Sequence, residues 1–333
     1  MKHISALILP VILLLTAATM AQTPGTPSVR KLYVFASPAV SLNSGHTEYI
    51  MDFYFLDTLG QTQWRKSELE FPLDILLAGA EIGIYSEEGG RTDWYISTSL
   101  RANFGNPDGL MKDHDWKTEP GVFDGKFSYT ESSTRLSAFL LDINAARLYY
   151  SGEKIDLFFL LGFHYQKWDF DIIGYDGWQY NDDSLRINLS SSRKALEYEV
   201  TYAMPVFGTI MRINPEKRTG LDLEAALGPV FVSDHDNHLL RNKIGEANGV
   251  GYGISLSAEG YFLFGDIRRG YRPFFDLNAG FAYMNASVDQ TQRWYGDDPA
   301  SQDFDDTGEV VPDIPHDIKS LQFGLGLRIG LIF

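Results

Sequence analysis

The last thirteen residues restrict the fold more than any other stretch. Leu321, Phe323, Leu325, Leu327, Ile329, Leu331 and Phe333 occupy every second position, and Gln322, Gly324, Gly326, Arg328 and Gly330 stand between them. Side chains alternate across an extended strand, so one face is continuously apolar and the other is polar or empty. A strand in a soluble sandwich has about five or six residues, whereas a tilted strand crossing a bilayer needs roughly 9 to 11. This stretch has the membrane length and closes on an aromatic residue, as outer-membrane barrels do.

The same pattern recurs, less cleanly, at Trp94-Ile96-Thr98-Leu100-Ala102-Phe104, Leu196-Tyr198-Val200-Tyr202-Met204, Tyr252-Ile254-Leu256-Ala258 and Phe275-Leu277-Ala279-Phe281-Tyr283. Between these residues lie Glu197, Glu199, Ser255, Glu259, Asp276 and Asn278, which suit a polar lumen. The connections alternate too. Segments 86–93, 151–156, 214–220 and 265–273 are short, whereas 105–135, 171–194, 234–250 and 288–318 are long and polar. With a first hairpin over 32–57 and 66–85, the expectation is an all-β transmembrane antiparallel barrel of about ten strands. It has short periplasmic turns and long outer loops. A soluble exported barrel or sandwich is the competing fold.

Lys2 and His3 precede an apolar run from Ile4 to Leu15, and small residues lead to Thr19-Met20-Ala21. This predicts a signal peptide over 1–21 and a single barrel domain over 22–333; the run is too short for a helix to cross ~30 Å of hydrocarbon. The chain has no cysteine, which excludes disulfides, a thiol nucleophile and thiolate metal sites. Its 44 acidic against 28 basic residues disfavour nucleic acid as a partner and favour cationic ligands.

Two short motifs carry the chemistry. In SDHDNH (233–238), an unbulged strand continuing from GLDLEAALGPVFV turns Asp234, Asp236 and His238 inward at one mouth of the barrel and His235 and Asn237 outward. In MKDHDW (111–116), Asp113 and Asp115 share a face. Two adjacent carboxylates resist joint ionisation and hold a proton, while an aspartate beside a histidine orients the imidazole and stabilises its charged form. Across a lumen, such pairs could hold and deprotonate a water, and Asp113 should then face His238 with room for about one water between them. A metal role is disfavoured because an EF-hand read from Asp234 has Leu239 and Gly245 where glycine and glutamate are required. A barrel lipase is disfavoured because Ser233 has opposite parity to His238. The non-enzymatic alternative is a narrow channel or adhesin whose acids solvate the mouth.

Together the two motifs resemble the omptin family of outer-membrane proteases, ten-stranded barrels with an Asp-Asp couple opposite an Asp-His dyad. SELEFPLDILLAGAEI (67–82), LLGFHYQKWDFDIIGYDGWQY (160–180) and LEYEVTYAMP (196–205) are similar in the same order. The resemblance implies Asp113 and Asp115 as the acidic couple, Asp236 orienting the general base His238, and Asp234 at the floor of the pocket for an arginine or lysine before the scissile bond. It implies a bacterial outer-membrane endopeptidase, its site facing the exterior, acting without a cofactor on basic peptides or proteins, as a monomer. There are departures. The family's first-strand pocket glutamate corresponds to Glu48, one residue out of register and so able to face lipid. A tryptophan-led loop signature is replaced by KFSYTESST (126–134). Of the lipopolysaccharide clamp, only Lys167 stands in for an arginine, while Tyr165 and Thr201 replace an acid and a second arginine.

Overall fold

The computed structural model describes residues 30–56, 60–119, 123–181, 185–215, 218–265, 270–299 and 305–333. The leader expected over 1–21 lies outside the described residues. The strands are β1 (Lys31–Leu56), β2 (Thr62–Pro72), β3 (Ile75–Glu88), β4 (Arg91–Asn103), β5 (Asp108–Glu119) and β6 (Phe123–Ser151). They continue as β7 (Ile155–Tyr180), β8 (Arg186–Ile213), β9 (Thr219–His238), β10 (Lys243–Leu263), β11 (Arg272–Trp294) and β12 (Val310–Ile332). They form one antiparallel sheet that closes on itself through β12 and β1.

These segments make a barrel ten strands around. β6 pairs with β4 along one half of its length and with β5 along the other, and β1 does the same with β3 and β2. Thus β2 and β3 are two halves of one strand, and β4 and β5 two halves of the next. Proline supplies no N–H to a ladder, and the first break follows Pro72. There Leu73 donates its N–H to the Gly45 carbonyl at 2.9 Å instead. Gly45 has φ 127°, and a Cβ at that position would collide with the Leu321 carbonyl, so only glycine fits.

The predicted alternation holds in β12, where Ser320 and Gln322 are buried inside while Phe323, Leu325, Ile329 and Leu331 are exposed outside. Outward apolar residues form a band around one part of the barrel, including Val40, Leu42, Phe159, Leu161, Phe207, Leu227 and Phe231. Beyond it the outward positions become polar: His46 and Glu48 on β1, Lys167, Asp169 and Asp171 on β7, and Ser233, His235 and Asn237 on β9. The ladder runs on through this region. Most of the segments expected as long loops (105–135, 171–194, 234–250, 288–318) are therefore paired strand. Where both faces carry polar residues the hydropathy signal fades while the hydrogen bonding persists.

The lumen is packed. Near the short-turn end, Arg328 contacts Glu81, Glu259 (2.5 Å) and Asp276 (2.9 Å), and Arg212 pairs with Asp222 at 2.7 Å. Above lies an aromatic layer in which Phe71 stacks on Tyr198 (4.2 Å between ring centroids) and meets Phe170 (5.0 Å), and Tyr49 meets Tyr198 edge-on (6.1 Å). Thr47 and Tyr202 bond across the lumen at 2.6 Å. A barrel of this size is filled by side chains rather than left as a pore. Removing the cation from a buried ionic cluster strands the remaining charges, so Arg328→Ala is expected to destabilise the fold by ~3–5 kcal/mol. The check is the urea midpoint of loss of β circular dichroism, which should fall clearly below that of the parent.

Candidate active site

β9 pairs with β10 in unbroken register from Thr219 to His238, so no bulge resets the alternation before SDHDNH. Asp234 (3% exposed) and Asp236 (0%) accordingly point into the barrel, above the outward apolar band that ends on this strand at Phe231. Ser233 and His235 point out, His235 toward Glu246 at 3.5 Å. Ser233 is thus turned away from His238, as its parity predicts.

His238 Nε2 lies 3.1 Å from Asp236 Oδ1, and the imidazole keeps a quarter of its surface open to the mouth. The approach is too oblique for a straight hydrogen bond. Catalytic contacts are often misaligned without substrate and tighten in the complex. Burial pushes the Asp236 carboxyl up, but the neighbouring His238 imidazole, with the Lys243 ammonium, outweighs it and holds the group at about 2. Asp236 is therefore a carboxylate at neutral pH.

Behind it runs a polar relay that the sequence did not advertise. Gln290 Nε2 points at Asp236 Oδ2 from 3.5 Å, and Gln290 Oε1 accepts from Tyr49 Oη (2.8 Å) and from Gln292 Nε2 (2.8 Å). Lys243 Nζ donates to Gln292 Oε1 at 3.1 Å, and burial pushes this ammonium down to about 8. Gln290 and Gln292 share the inward parity of Val288 on β11. The sequence pattern marks 288–318 as a long polar loop, in which parity carries no signal.

The acidic couple sits on β5. Met111 is buried, and Asp113 and Asp115 follow it at the same parity, paired laterally with Leu69 and Ser67 of β2. Ser128 Oγ donates to Asp115 Oδ2 at 2.6 Å, whereas Asp113 Oδ1 is buried with no hydrogen-bond partner among the described residues. Burial, then the charge of Asp115, raises the Asp113 carboxyl well above the usual range against the pull of Lys126. The couple therefore holds a proton readily. His114 faces the other way, stacked on Trp116 with its Nδ1 2.5 Å from Lys126 Nζ, and takes no part in the inner surface.

Around the ring at this level, β5 and β9 are separated by four steps through β6, β7 and β8, and by six through β2, β1, β12, β11 and β10. They occupy facing arcs. The aromatic layer links them: Phe71 is two residues from Leu69, the partner of Asp113, and its ring stacks on Tyr198, the partner of Asp236. Both acid pairs stand directly above one floor.

Asp234 lies one inward position deeper. Its Oδ1 accepts from the Ala247 N–H at 2.9 Å, and its Oδ2 is 3.3 Å from His316 Nε2, with both side chains sealed from solvent. Burial, then the charge of Asp236, pushes the Asp234 carboxyl up to about 8, and burial pushes the His316 imidazole down to about 4. His316 lies before the strict alternation that starts at Leu321, within a stretch the sequence pattern marks as a loop.

Two expected positions are corrected. Glu48 does not enter this pocket: Thr47 and Tyr49 take the inward positions, while Glu48 faces outward above the apolar band, 3.1 Å from His46. The one-residue offset in SGHTEYIM is a real change of face. Lys167 is on the outer wall as expected, but Glu199 (2.9 Å) and Asp169 (3.4 Å) already engage it. Glu197 and Glu199, expected to line the lumen, stand on this outer wall with Asp171 because Leu196, Tyr198 and Val200 take the inward positions, so the wall is not a basic clamp for an anionic lipid. Among the described residues no cluster of histidine and carboxylate side chains has the arrangement of a metal site.

A protein-family profile described as the Omptin family matches residues 87–264, more than half of the chain. Among solved structures, the outer membrane protease OmpT from Escherichia coli superposes with a TM-score of 0.69 at 14% identity, covering 94% of this chain and 99% of that one. The toluene transporter TodX of P. putida also aligns, covering 92% of this chain and 90% of that one, but with a TM-score of 0.26 at 10% identity. A comparison with curated proteins finds no match.

Proposed function

Because the chain belongs to the omptin family, we propose that it is an outer-membrane endopeptidase that cleaves after basic residues with a water activated by Asp236 and His238. The observation that carries this reading is the 3.1 Å contact between the buried Asp236 carboxylate and His238, on the arc facing Asp113 and Asp115. Asp236 fixes Nε2, which leaves Nδ1 to take a proton. A water held between Nδ1 and the acidic couple loses that proton to His238 as its oxygen attacks the scissile carbonyl carbon. The tetrahedral intermediate then collapses, His238 returns the proton to the departing amine nitrogen, and the C–N bond breaks. Asp113 and Asp115, sharing a proton, orient the water and offer a hydrogen bond to the developing oxyanion. A basic side chain before the scissile bond reaches down toward Asp234, whose carboxyl, pushed up to about 8 by burial, gives up its proton as the cation arrives and pairs with it.

In this reading the packed end of the barrel faces the periplasm and the site faces the exterior, with basic peptides or proteins as substrates and a monomer as the working unit. Lipopolysaccharide is included in the assay, although Lys167 gives it little purchase. The purified protein in detergent with lipopolysaccharide should cut a quenched peptide containing Arg-Arg, faster than the same peptide with glutamine before the bond, and with its rate unchanged by EDTA. Failure to cut any such peptide rejects the assignment, and loss of activity on chelation transfers it to a metal hydrolase.

A further inference from the structure

Beneath the dyad, the acid proposed to meet the basic side chain of the substrate faces a buried imidazole. Of the two acids expected there, Glu48 is on the other face of β1, so Asp234 is the carboxylate left. One Asp234 oxygen is taken by the Ala247 N–H, and the other confronts the His316 imidazole at 3.3 Å. His316 reaches there from β12, across the arc of β11 and β10, and its ring is held edge-on against Tyr49 with centroids 3.8 Å apart. Neither ring nitrogen nor Asp234 Oδ2 has an aligned hydrogen-bond partner among the described residues, and all are sealed from solvent. The imidazole therefore stands where a guanidinium or ammonium would meet Asp234 and ionise it, without making an aligned hydrogen bond to the carboxyl itself.

We propose that His316 is the specificity-determining residue of this pocket, holding back its preference for cationic side chains by occupying the open side of Asp234. The proposal rests on the protease reading for its biological meaning but not for its test. A cationic side chain must displace the imidazole or share Asp234 with it, whereas a neutral hydrogen-bonding side chain such as that of glutamine forfeits less. The parent should thus favour arginine over glutamine only modestly, and clearing the imidazole should expose the carboxylate to the cation.

The experiment compares the parent with His316→Ala and His316→Asn, after circular dichroism shows the barrel intact in each. Two readouts are taken: the ratio of kcat/KM for matched arginine and glutamine peptides, and the affinity of agmatine, which carries the arginine guanidinium without a peptide. A charge-assisted hydrogen bond is worth about 1.5–3 kcal/mol, so His316→Ala should raise the arginine-to-glutamine ratio and tighten agmatine by roughly tenfold or more. His316→Asn, smaller but still polar, should fall between. If the parent cuts neither peptide while agmatine still tightens in His316→Ala, the pocket assignment stands and the protease reading fails. If the parent cuts peptide but neither the ratio nor agmatine affinity rises in His316→Ala, the proposal is overturned. Weaker agmatine binding in a folded His316→Ala variant overturns it as well, since it makes the imidazole a supporter of Asp234.

Discussion

Replacing His238 by alanine is expected to lower kcat on an Arg-Arg peptide by roughly 10²–10⁴-fold, the range supplied by a positioned general base. Asp236→Ala should cost a comparable factor by a different route. Asp236 is fully buried and 3.1 Å from Nε2, so its loss leaves the imidazole without the group that orients it and stabilises its protonated form. Because the two residues act on one proton, the double variant should be little worse than the poorer single variant. Multiplicative losses in the double variant would show that His238 and Asp236 act in separate steps and would remove the dyad from the mechanism. The Gln290 contact to Asp236 provides an internal contrast. Gln290→Ala leaves both dyad residues in place and should cost far less than either dyad substitution.

The second large effect concerns the acidic couple. Asp115→Asn removes one of the two causes that raise the Asp113 carboxyl, so Asp113 should ionise at lower pH in that variant. The sign follows directly: a neighbouring negative charge disfavours a second one, and its removal restores the ordinary carboxylate range as far as burial permits. If turnover needs an ionised group in the couple, the acidic limb of the kcat/KM profile shifts to lower pH in Asp115→Asn while kcat falls, about 10²-fold for loss of one transition-state partner. An acidic limb that stays put or moves up would exclude the couple as the group titrating there. Asp113→Asn replaces the buried carboxyl that holds the proton of the couple with an amide that cannot ionise, and should be the more damaging of the two changes.

Both motifs were legible in the sequence for one physical reason. Where the outer face meets lipid, alternation must be strict, and β9 carries that parity without a bulge to His238, while β12 carries it past His316 before its register with β11 shifts beyond Ile314. Extending the count by two residues at a time is enough to turn Asp234, Asp236 and His238 inward. The same argument failed above the band, where β5 to β12 continue as paired strands but their outward residues are free to be polar. Hydropathy reports the solvent on each face, and there both faces are wet, so these strands read as loops. That failure hid His316, Gln290 and Gln292, whose inward parity is plain once β11 and β12 are extended. Glu48 shows the opposite case, since its register offset was visible in SGHTEYIM and the structure gives it the structural meaning of a changed face.

What parity cannot supply is closure. Which strands face one another depends on strand number and on the breaks after Pro72 and near Gly105, which shift β2 and β5 into the upper ring. Only with that ring closed does β5 come to face β9, and only then does His316 of β12 reach Asp234. Asp234 and His316 are 82 residues apart in the chain, and Asp113 and Asp236 are 123 apart. No local pattern encodes these juxtapositions.

The central claim is that one water is activated between the acidic couple and the dyad. It is tested most directly by a crystal structure of the protein bound to an arginine-containing phosphinate peptide, whose tetrahedral phosphorus mimics the attacked carbon. The account predicts one phosphinate oxygen within ~2.6–3.2 Å of both His238 Nδ1 and the Asp113 or Asp115 carboxyl, with the arginine side chain directed toward Asp234. A phosphinate seated on the outer wall, or bound in the mouth but touching only one of the two pairs, would contradict it.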